Sequence, residues 1–119
     1  MKVSVETIAS AKSEALMCKI DLKGTLDNNN IHEFDFILNA FIEGGIKKII
    51  LDIDDLQYID STGIGAFIRI TKRLRQMNGE VAITRYTSQI LNIVKPIKME
   101  NFIKFFPNVK EGITYLESL

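Results

Sequence analysis

The run KKIILDI, Lys47 to Ile53, constrains the fold more than any other stretch of the chain. Its apolar residues are nearly continuous, so a strand built from it cannot leave a face to water. It needs cover on both sides or a central place in its sheet. Two earlier stretches read differently. Residues 2 to 7 set Val3 and Val5 against Lys2, Ser4 and Glu6. Residues 16 to 23 put Leu16, Cys18, Ile20 and Leu22 on one face and Met17, Lys19, Asp21 and Lys23 on the other. Period two predicts strands with one buried face. The polar SAKSE at 10–14 predicts the turn of a hairpin, with no Asn-Gly pair to mark it.

Helical spacing takes over elsewhere. Asn30 followed by Glu33 has the form of a capping box. After it Ile31, Phe34, Leu38, Phe41 and Ile42 share one stripe, which Gly44-Gly45 ends. From about residue 60 to Met77 a second helix carries Ile64, Phe67, Ile68, Thr71 and Leu74 inward. Arg69, Lys72, Arg73 and Arg75 fall mainly on its outer surface, toward the end where the dipole favours cations. EVAITRY, Glu80 to Tyr86, is another strand, so the second helix joins two parallel strands. Thr87 or Ser88 caps a short helix with Ile90, Leu91 and Val94, which Pro96 interrupts. Phe102, Ile103, Phe105 and Phe106 predict a last short strand or a buried loop. After Pro107-Asn108 a final helix turns Val109, Ile113 and Leu116 inward. The expected fold is α/β: a mixed sheet of four or five strands with about four helices packed on it.

The totals bound the function. A chain of 119 residues fits one domain, residues 1–119, and 46% hydrophobic residues suffice for a core. Fifteen basic and fifteen acidic residues cancel, against the basic excess of a nucleic-acid binder. One cysteine, Cys18, rules out an internal disulfide and a thiolate metal cluster, and fits a reducing compartment. The N-terminus lacks a signal-peptide core and no apolar run spans a bilayer, so the expected setting is cytoplasmic.

The chemistry concentrates in DSTGIG, Asp60 to Gly65. It follows the aliphatic strand and opens a helix, the place where open α/β sheets bind ligands. Ser61 or Thr62 is suited to be the N-cap. Gly63 and Gly65 strip side chains from the turn, so a backbone or a phosphate can approach closely. A helix N-terminus also favours negative charge. Two readings stand at this point: a cap and nothing more, or a hydroxyl that is phosphorylated. A phosphoserine would bring a charge of about −1.5 to −2, partly stabilised by the dipole and opposed by Asp60.

The stretch Leu51 to Gly65, LDIDDLQYIDSTGIG, resembles the signature of the STAS domain (sulphate transporter and anti-sigma factor antagonist). Asp60, Ser61, Thr62, Gly63 and Gly65 match it directly, and Ile64 replaces the common leucine. Upstream, KGTLDNNN resembles the family's Gly-Glu-Leu/Ile-Asp loop, with Gly24, Leu26 and Asp27 matching and Thr25 in place of the glutamate. The resemblance implies a STAS-like fold and a regulator that is not an enzyme and needs no cofactor. It implies that Ser61 is the phosphorylation site, modified by an anti-sigma factor serine kinase and restored by a metal-dependent serine phosphatase. The unmodified protein would bind the kinase and release the sigma factor. Asp27, Asp60, Ser61, Thr62, Gly63 and Gly65 would form the partner surface.

The remaining candidates read as structural. Asp52, Asp54 and Asp55 have the place of a phosphoacceptor or magnesium site, but DIDDL lacks the dehalogenase Asp-x-Asp-x-Thr/Val ending, and they read as solvated loop carboxylates. His32 has no nucleophile beside it and reads as a surface residue; Cys18 reads as core. The phenylalanines are core, with some on the open face of the sheet where they would support at most a weak dimer. Two rival functions remain open: an unswitched STAS scaffold in a larger signalling assembly, and a small phosphotransferase using Asp52 or Asp54.

Overall fold

In the computed structural model, which describes residues 1–10, 12 and 15–119, the aliphatic run becomes the middle strand of a mixed sheet. The strands are β1 (Lys2–Ile8), β2 (Leu16–Leu26), β3 (Ile46–Asp52), β4 (Leu56–Ile59), β5 (Glu80–Thr84) and β6 (Lys104–Phe106). The helices are α1 (Ile31–Glu43), α2 (Ser61–Gln76), α3 (Ser88–Val94) and α4 (Val109–Glu117). The sheet order is β1-β2-β3-β5-β6, with β4 attached to β2 off this path. β1 and β2 pair antiparallel as the hairpin reading predicts, and the other pairs are parallel. The expected turn at 10–14 lies partly on residues 11, 13 and 14, outside the described residues.

β3 is apolar on both faces because both are covered. Ile49 and Leu51 join the large core with Phe34, Leu38, Phe67 and Leu74 from α1 and α2 and Ile90 from α3. Ile50 points the other way, into a smaller cluster with Met17, Ala82 and Leu116 under α4. Fully burying each of these large side chains contributes about 1.5–3 kcal/mol. The second cluster corrects the reading of β2. Met17 is buried and Leu16 is 57% exposed, because α4 covers the face that alternation assigned to solvent. Lys48, at the foot of β3, is also buried, and its ammonium donates to the Leu116 carbonyl at the C-terminal end of α4 (2.6 Å) and to a main-chain oxygen of Leu119 just beyond it (3.3 Å).

The inner face of α2 is Gly63, Ala66, Phe67, Ile70, Thr71 and Leu74; Ile64 and Ile68 are only half-buried. Its outer arginines tie it to neighbours: Arg69 to Asp35 (2.9 Å), Arg73 to Asn39 and Arg75 to Glu80 (3.0 Å). Gly45 (φ +105°) takes the left-handed turn after α1, and Asn78 (φ 62°) the one after α2. The exposed phenylalanine is Phe36, on α1 rather than on the sheet.

β4 is a strand that the sequence pattern does not reveal. Its four residues, LQYI, bury only Leu56 and Ile59, a spacing too short to show a period. It is a strand because β2 is long enough to change neighbours. β2 pairs with β3 up to Asp21, then bends at Gly24 (φ +96°), whose N–H bonds the Asp55 carbonyl at 3.0 Å. Beyond the bend, Thr25 and Leu26 pair with Tyr58 and Ile59.

Candidate functional site

That change of partner builds the site. Pairing Leu26 with Ile59 carries the residue after each strand, Asp27 and Asp60, to the same corner, where the Asp60 N–H bonds the Leu26 carbonyl at 3.2 Å. Asp60 then caps α2. Its Oδ1 accepts from the Gly63 N–H at 2.9 Å and its Oδ2 from the Asn28 N–H at 3.2 Å. One carboxylate thus fastens the helix start to the preceding loop. The loop is braced again by Asn30, whose Oδ1 accepts from the Asp27 N–H (3.0 Å) and whose Nδ2 donates to the Thr25 carbonyl (2.8 Å). Asp27 Oδ1 accepts from the Asn29 N–H at 2.9 Å.

Two expectations about caps are therefore corrected. Asn30 precedes α1 but makes no side-chain cap, because its amide is spent on the 25–27 backbone. Neither Ser61 nor Thr62 caps α2, because the aspartate before them does. Aspartate ranks with serine as a cap, so the alternative was present in the sequence. The consequence matters more than the correction. Ser61 becomes the first helical residue, exposed, and among the described residues nothing bonds its hydroxyl. The N–H groups of Ser61 and Thr62, which a helix start leaves without intrahelical partners, likewise have no partner among the described residues. A free alcohol, two free N–H donors and the positive end of a sixteen-residue helix lie together.

Gly63 is not part of this surface. It is buried, and a Cβ built on it would stand 2.6 Å from Ile59 Cγ1 and 2.8 Å from the Leu26 carbonyl oxygen. The close approach it permits is that of α2 to β2. Gly65 is half-exposed and a Cβ there would meet only Arg69, at 3.5 Å. Tyr58, 47% exposed on β4, adds an aromatic ring two residues before the cap.

Of the three aspartates read as solvated, Asp54 and Asp55 are exposed, but Asp52, the last residue of β3, is not. Asp52 is 1% exposed. Arg85 reaches it with Nε at 2.9 and 3.1 Å from its two oxygens and Nη2 at 2.5 Å, Thr84 Oγ1 lies at 3.4 Å, and Lys19 Nζ at 3.8 Å. Burial alone would raise this carboxyl, but the Arg85 hydrogen bonds, helped by Asp21 and Lys19, hold it below the ordinary carboxylate range. Asp21 is raised, by burial and by sharing a hydrogen bond with Asp52, against the pull of Lys19. Asp54 is 52% exposed and meets Arg85 at 3.6 Å. Arg85 itself (φ 54°) sits just past β5, where the sequence reading continued the strand. Cys18 is buried as expected, and burial pushes its thiol up to about 11. His32 is exposed. Among the described residues no group of three or more His, Cys, Asp or Glu could hold a metal ion, and no helix is long and apolar enough to cross a membrane.

A mixed sheet with a bent second strand, helices on both faces and an uncovered seryl at the start of its longest helix defines a STAS-type domain. The STAS domain family model matches residues 6–112, and the chain belongs to that family. BtrV of Bordetella bronchiseptica, named as an anti-sigma factor antagonist, is 26% identical over 86 residues, 72% of each chain. Among solved structures, an anti-sigma factor antagonist from Thermotoga maritima superposes with a TM-score of 0.80 at 18% identity, covering 93% of this chain and 92% of that one. The Bacillus protein SpoIIAA in its phosphorylated form gives 0.65 at 16% identity, over 94% and 98%.

Proposed function

We propose that this chain, acting as one STAS unit, is an anti-sigma factor antagonist switched by reversible phosphorylation of Ser61. In the unmodified state the start of α2, with Asp27, Asp60, Ser61 and Thr62, docks on an anti-sigma factor that is also a serine kinase. The kinase then releases its sigma factor. In the switching step the Ser61 oxygen attacks the γ-phosphorus of ATP, the bond to the β-phosphate oxygen breaks, and ADP leaves. The hydroxyl proton passes to a base on the kinase. A metal-dependent serine phosphatase returns the hydroxyl by hydrolysis, releasing inorganic phosphate. The reactions belong to the partners, and this chain supplies the substrate side chain. The setting that fits them is the cytoplasm, where ATP and sigma factors are.

The observation that carries this reading is the division of labour between Asp60 and Ser61. Because the aspartate does the capping, the serine oxygen is left exposed and unbonded, so modifying it removes no contact that holds the fold. The phosphate lands where two free N–H groups and the helix dipole partly stabilise it. It also lands beside the Asp60 carboxylate and on a surface fitted to a neutral alcohol, where it repels a docked partner. The naming of the relatives and the phosphorylated form of SpoIIAA support the same reading. By contrast, the Asp52 carboxylate is enclosed by Arg85, which disfavours Asp52 as the acceptor of the phosphotransferase alternative.

Incubation with the cognate kinase and ATP, followed by mass-spectrometric mapping, tests the proposal. Phosphate is expected on Ser61. Ser61→Ala abolishes the modification while keeping kinase binding, and Ser61→Asp weakens binding. Phosphate mapped elsewhere, or binding indifferent to Ser61→Asp and to the modification itself, overturns it.

A further inference from the structure

The two edges of the sheet are treated differently. β6 is three residues long, too short to template another strand. β1 runs for seven residues and keeps an unbroken ladder with β2, from Lys2 opposite Lys23 to Ile8 opposite Met17. It contains no proline or bulge, two of the devices that blunt an edge, and its charges, Lys2 and Glu6, are of opposite sign. Its outer N–H and C=O groups have no strand beside them among the described residues.

Its side chains are self-complementary. In KVSVETI the charges are Lys2 near one end and Glu6 near the other, with Ser4 midway. If a second β1 lies antiparallel and centred on Ser4, Lys2 faces the partner's Glu6, Glu6 faces the partner's Lys2, Val3 and Val5 face each other, and Ser4 faces Ser4. The two apolar residues lie on the side of the main core, in register with Leu22 and Ile20. Val3 packs on the main core and Val5 is left 40% exposed. Pairing would extend that core across the junction.

The charge of Lys2 points the same way independently. Lys2 stands directly opposite Lys23 in the hairpin and makes no ion pair among the described residues. Like charges directly opposed across a ladder are destabilising; Asp21, Asp52, Asp54 and Asp55, which line a cavity with Lys2 and Lys23, offset part of this, and a carboxylate on the free side adds to that relief. Glu6, its side chain 70% exposed, reaches Lys19 at only 3.6 Å and has room for a second cation.

We infer that the partner of this edge is a second copy of the chain, joined β1 to β1 about a two-fold axis at Ser4, so that the two sheets run on as one. The arrangement has a functional consequence. Antiparallel joining points the carboxyl ends of the two β2 strands in opposite directions, so both Ser61 corners stay open and the dimer presents one at each end.

Sedimentation of the full chain from micromolar to millimolar concentration tests this, with charge swaps. Lys2→Glu and Glu6→Lys are each expected to weaken dimerisation about tenfold, because both symmetry-related pairs turn repulsive together. The double variant Lys2→Glu/Glu6→Lys is expected to restore it. The sites are exposed, and circular dichroism of each variant verifies the fold. Ser4→Cys gives a second readout: opposed residues in a ladder have Cα atoms about 4.5–5.5 Å apart, within disulfide reach. Oxidation is expected to give a disulfide dimer with Ser4→Cys and none with Thr7→Cys, which faces the partner's Met1. Buried Cys18 does not compete. A wild-type chain that stays monomeric at millimolar concentration overturns the inference. So does a dimer indifferent to either single swap, or equal cross-linking at positions 4 and 7.

Discussion

At the end of β3 the Asp52 side chain is fully buried, both oxygens taken by Arg85, with Lys19 and Thr84 behind. At the end of β4, four residues long, the Ser61 hydroxyl stands in water with nothing bonded to it among the described residues. Both positions follow strands of one parallel region, where an α/β sheet places its ligands. The difference lies in what each neighbourhood does with its polar groups. Around Asp52 they are satisfied internally, so its carboxylate contributes to stability and has no free hydrogen bond to offer a partner. Around Ser61 the satisfaction is delegated to Asp60, so the serine itself costs the fold nothing. A polar residue at the right place in a fold is a functional candidate only when its hydrogen bonds are not already spent.

Variants at the two corners separate these roles, ordered by expected loss of stability. Arg85→Met leaves Asp52 buried without its main partner. A fully buried pair broken in this way costs about 3–5 kcal/mol; with Arg85 42% exposed and Lys19 still present, about 2–3 kcal/mol is expected, read from urea midpoints. The loss depends on pH. Asp52 is held below its unfolded value, so its contribution is present above the ordinary carboxylate range near about pH 4 and lost as pH falls through its lowered value. The gap between wild type and Arg85→Met is therefore expected to be widest at neutral pH and to narrow in acid. A gap that widens in acid would contradict the ion-pair account.

Gly63→Ala is next, at about 2 kcal/mol, since one of the two atoms its Cβ would strike is a backbone carbonyl that cannot turn aside. Asp60→Ala removes the cap on Gly63 and the tie to Asn28, for about 1 kcal/mol by thermal melting. Ser61→Ala comes last, within about 0.5 kcal/mol, as expected of a surface side chain without partners. A large loss there would mean that the hydroxyl supports the fold after all.

Much of this was legible in the chain itself. KKIILDI has to be central because no other place covers both its faces, and the stripe ending at Gly44-Gly45 has to be a helix. DSTGIG marks the corner because glycines and hydroxyls crowd a strand-to-helix turn. What escaped depended on distant partners. LQYI is a strand only because β2 bends at Gly24 to meet it, and Asp52 is internal only because Arg85, 33 residues later, folds back on it. Met17 is buried only because α4 arrives from the end of the chain. The assignment of the cap was a local choice among residues of equal propensity, and Asp60 prevails because its second oxygen also reaches Asn28.

Binding of the cognate kinase to the chain carrying phosphoserine at position 61, measured by calorimetry beside the unmodified chain, is the most direct test of the switch. The account predicts a loss of affinity of about tenfold or more, the scale of removing one fitted contact, with amide shifts confined to the neighbourhood of residues 27–30 and 60–66. Equal affinity for the two forms, or a spectrum changed throughout the sheet, would contradict it.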